Sequence, residues 1–150
     1  MKGFRGKSTL NLKLGRIGVK TYQEVHRTLK RGALKIENRA VQGIIEPPKT
    51  GRIYASKHRK GKKHQASAPG EFPAADSGRL HQSITSVEAS TKDLIRFETG
   101  PNTDYARMLE EGTSKMEPRP YMTPSYNENE AGIRADVREA VRRGSRKGSR

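Results

Sequence analysis

From about residue 17 to the prolines at 47 and 48, apolar side chains return at three- and four-residue steps. Tyr22, Val25, Leu29, Ile36, Ala40 and Ile44 fall on one stripe, and Gly32-Ala33 fills the gap without losing the phase. Lys20, Arg27, Lys30, Arg31, Lys35 and Arg39 take the rest of the surface. The pattern predicts one amphipathic helix. Pro47-Pro48 ends it, because proline has no N–H to donate and restricts the residue before it. Such a helix runs about 40 Å at 1.5 Å per residue, slightly weakened by Gly32 and Gly43. Its stripe needs a second layer to cover it.

Shorter elements follow. Arg52-Ile53-Tyr54-Ala55 predicts a short strand, and residues 57–64 a strongly basic hairpin tip or loop. Residues 67–78, rich in Ala, Pro, Gly and Ser, read as a draped loop. Residues 80–89 and 94–99 read as two strands joined by a turn at Ser90-Thr91-Lys92-Asp93. Asn102-Thr103-Asp104 is suited to cap a short helix from Tyr105 to Glu111, with Gly112 just past its end. Thr123-Pro124 opens a last helix whose face carries Tyr126, Ile133, Val137 and Val141. The expected architecture is α+β: long N-terminal and C-terminal helices packed on a small antiparallel sheet. Residues 1–15 read as an extended basic arm, 16–141 as a single domain and 142–150 as a disordered basic Gly/Ser tail. An exposed sheet edge is available to a second subunit.

The net charge of +15 is placed unevenly. Residues 1–66 carry 18 Lys/Arg against 3 Asp/Glu, residues 67–139 carry 8 against 13, and the last eleven carry 5 against none. A basic half facing an acidic half suits contact between neighbouring subunits of a ring, and equally suits a polyanionic partner. With 31% apolar residues and a mean hydropathy of −0.96, the 150-residue chain has material for one small core. Oligomerisation is the expected remedy. The sequence offers no membrane-length apolar run and no signal-peptide pattern, and it has no cysteine for disulfide or thiol chemistry, which suits assembly in a reducing cytoplasm.

Histidines 26, 58, 64 and 81 are the first place to look for a metal. His58 and His64 stand in a lysine-rich stretch that repels a divalent cation, and no cysteine or paired carboxylate accompanies them. Neither a metal nor another cofactor is expected. Glu110-Glu111 and Asp104 read as helix-end and surface charges, and Thr113-Ser114 as loop residues. No signature of a nucleophile with its base is present, so the chain is not expected to be an enzyme or to take a small-molecule substrate.

Several short motifs occur in one order: Gly51-Arg52-Ile53-Tyr54, Ser67-Ala68-Pro69-Gly70-Glu71-Phe72-Pro73-Ala74, Gly78-Arg79-Leu80 leading to Ser83-Ile84, Tyr105-Ala106, Glu111-Gly112-Thr113 and Arg119-Pro120-Tyr121. This order, over roughly residues 20–140, resembles the neck or tail-completion proteins of tailed bacteriophages, also called minor tail proteins of the lambda Z type. The resemblance implies a non-catalytic virion protein at the head–tail junction, made in the host cytoplasm. It would assemble with itself as a ring, sixfold by the usual symmetry of such tails, between head-completion or connector proteins and tail-terminator proteins. Residues 57–64 and the arginine-rich C-terminus depart from the motif, so no family role carries over to them.

Loops holding Phe72, Met116 and Tyr121 are hard to satisfy in a lone subunit. The expected interface residues are therefore Pro69, Gly70, Phe72 and Pro73 in the first loop, and Met116, Arg119, Pro120 and Tyr121 in the second. Lys57, Arg59, Lys60, Lys62 and Lys63 make either a solvated loop or a contact for packaged DNA or an acidic partner. The main alternative is a non-sequence-specific nucleic-acid-binding protein of ribosomal or nucleoid type, which the isoelectric point near 10.4 favours and the acidic balance of 67–139 opposes. A small metal-dependent nuclease has the least support.

Overall fold

The computed structural model describes residues 8–13, 18–46 and 49–147. In chain order these are β1 (Ser8–Lys13), α1 (Val19–Ile45), β2 (Ile53–Ala55), β3 (Lys63–Gln65), α2 (Arg79–Gln82), β4 (Ile84–Glu88), β5 (Leu94–Pro101), α3 (Ala106–Glu111) and α4 (Met122–Lys147). The fold is α+β. A three-stranded antiparallel sheet in the order β1-β5-β4 packs on α1, α4 packs along α1, and β2 pairs with β3 in a separate hairpin.

The predicted stripe on α1 is the centre of the core. Val25, Leu29, Ala33, Ile36, Ala40 and Ile44 are buried. From β5, Ile95, Phe97 and Thr99 point inward while Arg96 and Glu98 point out, as the two-residue period of a strand requires. Ile133 and Ala140 contribute the buried face of α4, and Tyr126 and Val137 pack beside it, half-buried. Val141, expected on that face, is exposed.

Glycine sets how closely the two long helices meet. A Cβ at Gly32 would lie 2.9 Å from Ile133 Cγ2, and one at Gly144 would lie 2.6 Å from the Thr21 Cα. At Gly43 the ring of Phe72 occupies the space a side chain would need. Gly32 and Gly43, a cost to helix propensity, are contact points of the tertiary structure. Across the same pair Lys35 reaches Asp136 and Arg39 forks onto Glu128. Being exposed, such pairs add fractions of a kcal/mol each.

Four expectations are corrected. Residues 8–13 are not a free arm: they form the edge strand β1, because Leu10 and Leu12 alternate with Thr9 and Asn11 and sit opposite Phe97 and Ile95. The rest of the arm, and the expected helix start at Ile17, lie outside the described residues. Residues 142–147 are not a tail but the last turns of α4, held where Gly144 meets Thr21; residues 148–150 lie outside the described residues. Residues 79–82 are one helical turn and not strand, with the Gln82 N–H donating to the Gly78 carbonyl and buried Leu80 anchoring it. The short helix α3 has no side-chain cap from residues 102–104.

Candidate functional site: a double-loop clasp and its cleft

The two motif loops, 66–78 and 112–121, close on each other. The Gly70 N–H donates to the Pro118 carbonyl at 3.0 Å. Arg119 Nε donates to the Ser67 carbonyl at 3.2 Å, its Nη1 to the Glu117 carbonyl at 3.2 Å, and its backbone N–H to the Leu109 carbonyl at 2.7 Å. The sharp turns that permit this use glycine at positive φ, Gly70 at 79° and Gly112 at 74°. Each loop is tied back to the body. Glu71 accepts from the Ala68 N–H at 2.8 Å, the Thr50 N–H at 3.1 Å and the Thr50 hydroxyl at 2.6 Å. These bonds, the Thr50 hydroxyl foremost, hold the Glu71 carboxyl below its ordinary range.

Phe72 fills the Gly43 notch in α1. The Arg39 guanidinium lies 4.7 Å from its ring centroid and the Lys49 ammonium 6.0 Å away, a geometry of cation–π attraction. On the other loop, Tyr121 is 0% exposed. Burial pushes its phenol up, with Glu110 reinforcing the effect. Glu110, only 8% exposed, accepts the backbone N–H groups of Tyr121, Met122 and Thr123 at 2.8, 3.0 and 2.9 Å. A carboxylate there satisfies three of the donors that a helix start leaves open and complements its positive end. Read from sequence as a surface or helix-end charge, Glu110 is the anchor of α4.

The expected interface set therefore divides. Tyr121 and Pro73 are buried in their own subunit and Phe72 is half-buried against α1, so these residues need no neighbour to cover them. Arg119 staples the two loops and Pro120 is half-buried beside it. Pro69 and Gly70 stay exposed at the rim, and Met116 lines a cleft.

The β2–β3 hairpin stands apart from this packing. Ile53 and Tyr54 are exposed at 56% and 43%, and Lys57, Arg59, Lys60, Lys62 and Lys63 lie at or beside its tip, all exposed. One polar link ties that tip to the first loop. The Ser56 hydroxyl donates to Asp76 at 2.5 Å and accepts from the His58 and Arg59 N–H groups. Arg59 and His64 Nδ1 stand 3.7 and 3.9 Å from the same carboxylate. The Ser56 bond foremost, with Arg59 nearby reinforcing it, holds Asp76 below its ordinary range. Ser56, His64 and Asp76 are not a nucleophilic triad, because the carboxylate sits between hydroxyl and imidazole instead of behind the imidazole. Among the described residues no three His, Asp or Glu side chains gather as metal ligands.

Between the hairpin, the first loop, α2 and the second loop lies an open cleft of about 910 Å³. Its floor is apolar, with Leu80, Leu109 and Met116, and its walls are basic. No family model matches this chain, and neither a curated protein nor a solved structure matches it.

Proposed function

We propose that this chain is a structural virion protein of the head–tail junction, a neck or tail-completion protein that assembles as a homo-oligomeric ring around the DNA channel and performs no catalysis. One observation supports the reading above the others. The motifs that carry the resemblance meet across 48 and 52 residues of sequence, through Gly70–Pro118 and Ser67–Arg119, as one clasp. Residues with a shared structural task are what a family-wide motif of a non-catalytic protein should contain.

In this reading the clasp is the stiff part of each subunit, and the exposed rim at Pro69 and Gly70 meets the next copy. The segregated charges complement each other around the ring. The ring number of six, the head-side connector and the tail terminator as neighbours, and the virion as location come from the resemblance. Light scattering or native mass spectrometry of the purified protein tests the ring. An assembly of several copies is expected.

The hairpin favours a second reading, free nucleic-acid binding. Of its five lysines and arginines, only Arg59 has a carboxylate partner among the described residues. A protein that stays monomeric at every concentration and alone holds duplex DNA, with affinity falling steeply as salt rises, belongs to that reading instead.

A further inference from the structure

We propose that the cleft between the β2–β3 hairpin and the double-loop clasp is a docking groove for an extended acidic peptide segment supplied by a different protein. The assignment of that protein to the phage neck rests on the proposed function; the groove's chemistry does not.

Charge is the first argument. Arg52 and Lys57 stand on the hairpin wall, Arg79 on the α2 wall and Arg119 on the clasp. Among the described residues none of the four pairs with a carboxylate; the Arg119 guanidinium is held by two neutral carbonyls. The one acid in the lining, Asp76, is already engaged by Ser56 and Arg59. Four cations around one small concavity repel each other until a polyanion enters.

Shape and floor decide which polyanion. A groove of about 910 Å³ is of the size that receives a short extended segment. Single-stranded nucleic acid binds through bases stacked on aromatic faces. Two tyrosines line the groove: Tyr54 is set edge-on to His64 at 5.2 Å and Tyr105 packs half-buried against the core, while Leu80, Leu109, Met116, Pro73 and four alanines make the rest of the apolar lining aliphatic. Aliphatic floor and basic walls suit a peptide that buries one apolar side chain and extends carboxylates to either side.

The segment does not come from a second copy. The acids of this chain on α4, Glu128, Glu130, Asp136 and Glu139, are paired with arginine or lysine along helices. No extended stretch of it offers two free carboxylates.

The test uses the full chain and a fluorescein-labelled octapeptide of glutamates with one central leucine, followed by anisotropy at low ionic strength. Saturable binding is expected, weakened about tenfold or more by R52E/R79E and unchanged by K92E, which sits in the β4–β5 turn and does not line the groove. An oligothymidylate of equal length should bind more weakly. Absence of peptide binding overturns the proposal. So does an equal loss in K92E, which would mean charge attraction without a site, or tighter binding of the oligothymidylate. If R52E/R79E fails to fold, the wild-type histidine ring resonances decide: peptide should shift His81, which lines the groove, and leave His26 in place. A monomeric protein that passes these tests loses the ring but keeps the groove.

Discussion

The clasp and the hairpin are neighbours built on opposite plans. In the clasp, loop carbonyls and N–H groups are bonded across the two segments, Glu71 closes one loop onto Thr50, Glu110 closes the other onto α4, and Phe72 fills a notch cut for it. In the hairpin, two three-residue strands carry exposed Ile53, Tyr54 and a row of cations, and Ser56–Asp76 is the side-chain link to the first loop. A short two-stranded ribbon has little stability of its own. Stability is therefore concentrated in the motif loops, and unpaired charge in the segment that departs from the motif. Changes in the first region should alter folding, and changes in the second should alter binding.

The sharpest way to break that contrast is Glu110→Ala. It strips three N–H groups, two of them buried, of their acceptor, and a loss of about 3 kcal/mol or more is expected in urea unfolding. A loss under ~1 kcal/mol would mean that α4 does not depend on this anchor. Gly43→Val comes next. The new side chain must displace Phe72, and about 2 kcal/mol should be lost, with a matching change in the fluorescence of a tryptophan placed at position 72.

Glu71→Gln sharpens the contrast through pH. Because the folded-state carboxyl titrates below its unfolded value, its stabilisation is complete above the unfolded value and disappears as pH falls through the folded one. Wild type should exceed the variant in melting temperature at neutral pH, and the gap should close below about pH 4. A gap that stays constant through that window would rule out the Glu71 charge as its source. The smallest effect belongs to the hairpin: Lys57, Lys60 and Lys62 changed together to Gln should leave stability within about 0.5 kcal/mol. The same triple change should lower the salt concentration at which the protein leaves a heparin column.

Elements with strong local periodicity were legible in the chain. The α1 stripe and the alternation in β5 announce themselves, because each face is written in adjacent turns or alternate residues. So was the hairpin tip, with its cluster of like charge. β1 was hidden because its two leucines lie in a segment dominated by lysine, arginine and glycine, and only their pairing with Ile95 and Phe97 gives them meaning. Gly32, Gly43 and Gly144 look like weak points until the helix or ring that fills each space is known. For the site, the motif loops stand out in the sequence, but the inward burial of Tyr121, Phe72 and Pro73 does not. Whether an aromatic in a loop faces a neighbour or its own core depends on other elements: Phe72 turns inward onto Gly43 and Arg39, 29 and 33 residues upstream. Glu110 was missed for the same reason: its partners lie 11 to 13 residues downstream, beyond any capping box.

The glycine contacts along α1 also govern how the subunit deforms under load. Sliding α4 by one turn, about 5.4 Å, would bring the Ile133 side chain out of the Gly32 hollow and against a residue with a side chain of its own. Gly144 would leave the Thr21 backbone at the same moment. The two long rods are keyed at the middle of their overlap and at one end, so shear between them is blocked, and a push delivered at one end should tilt the pair as a single lever.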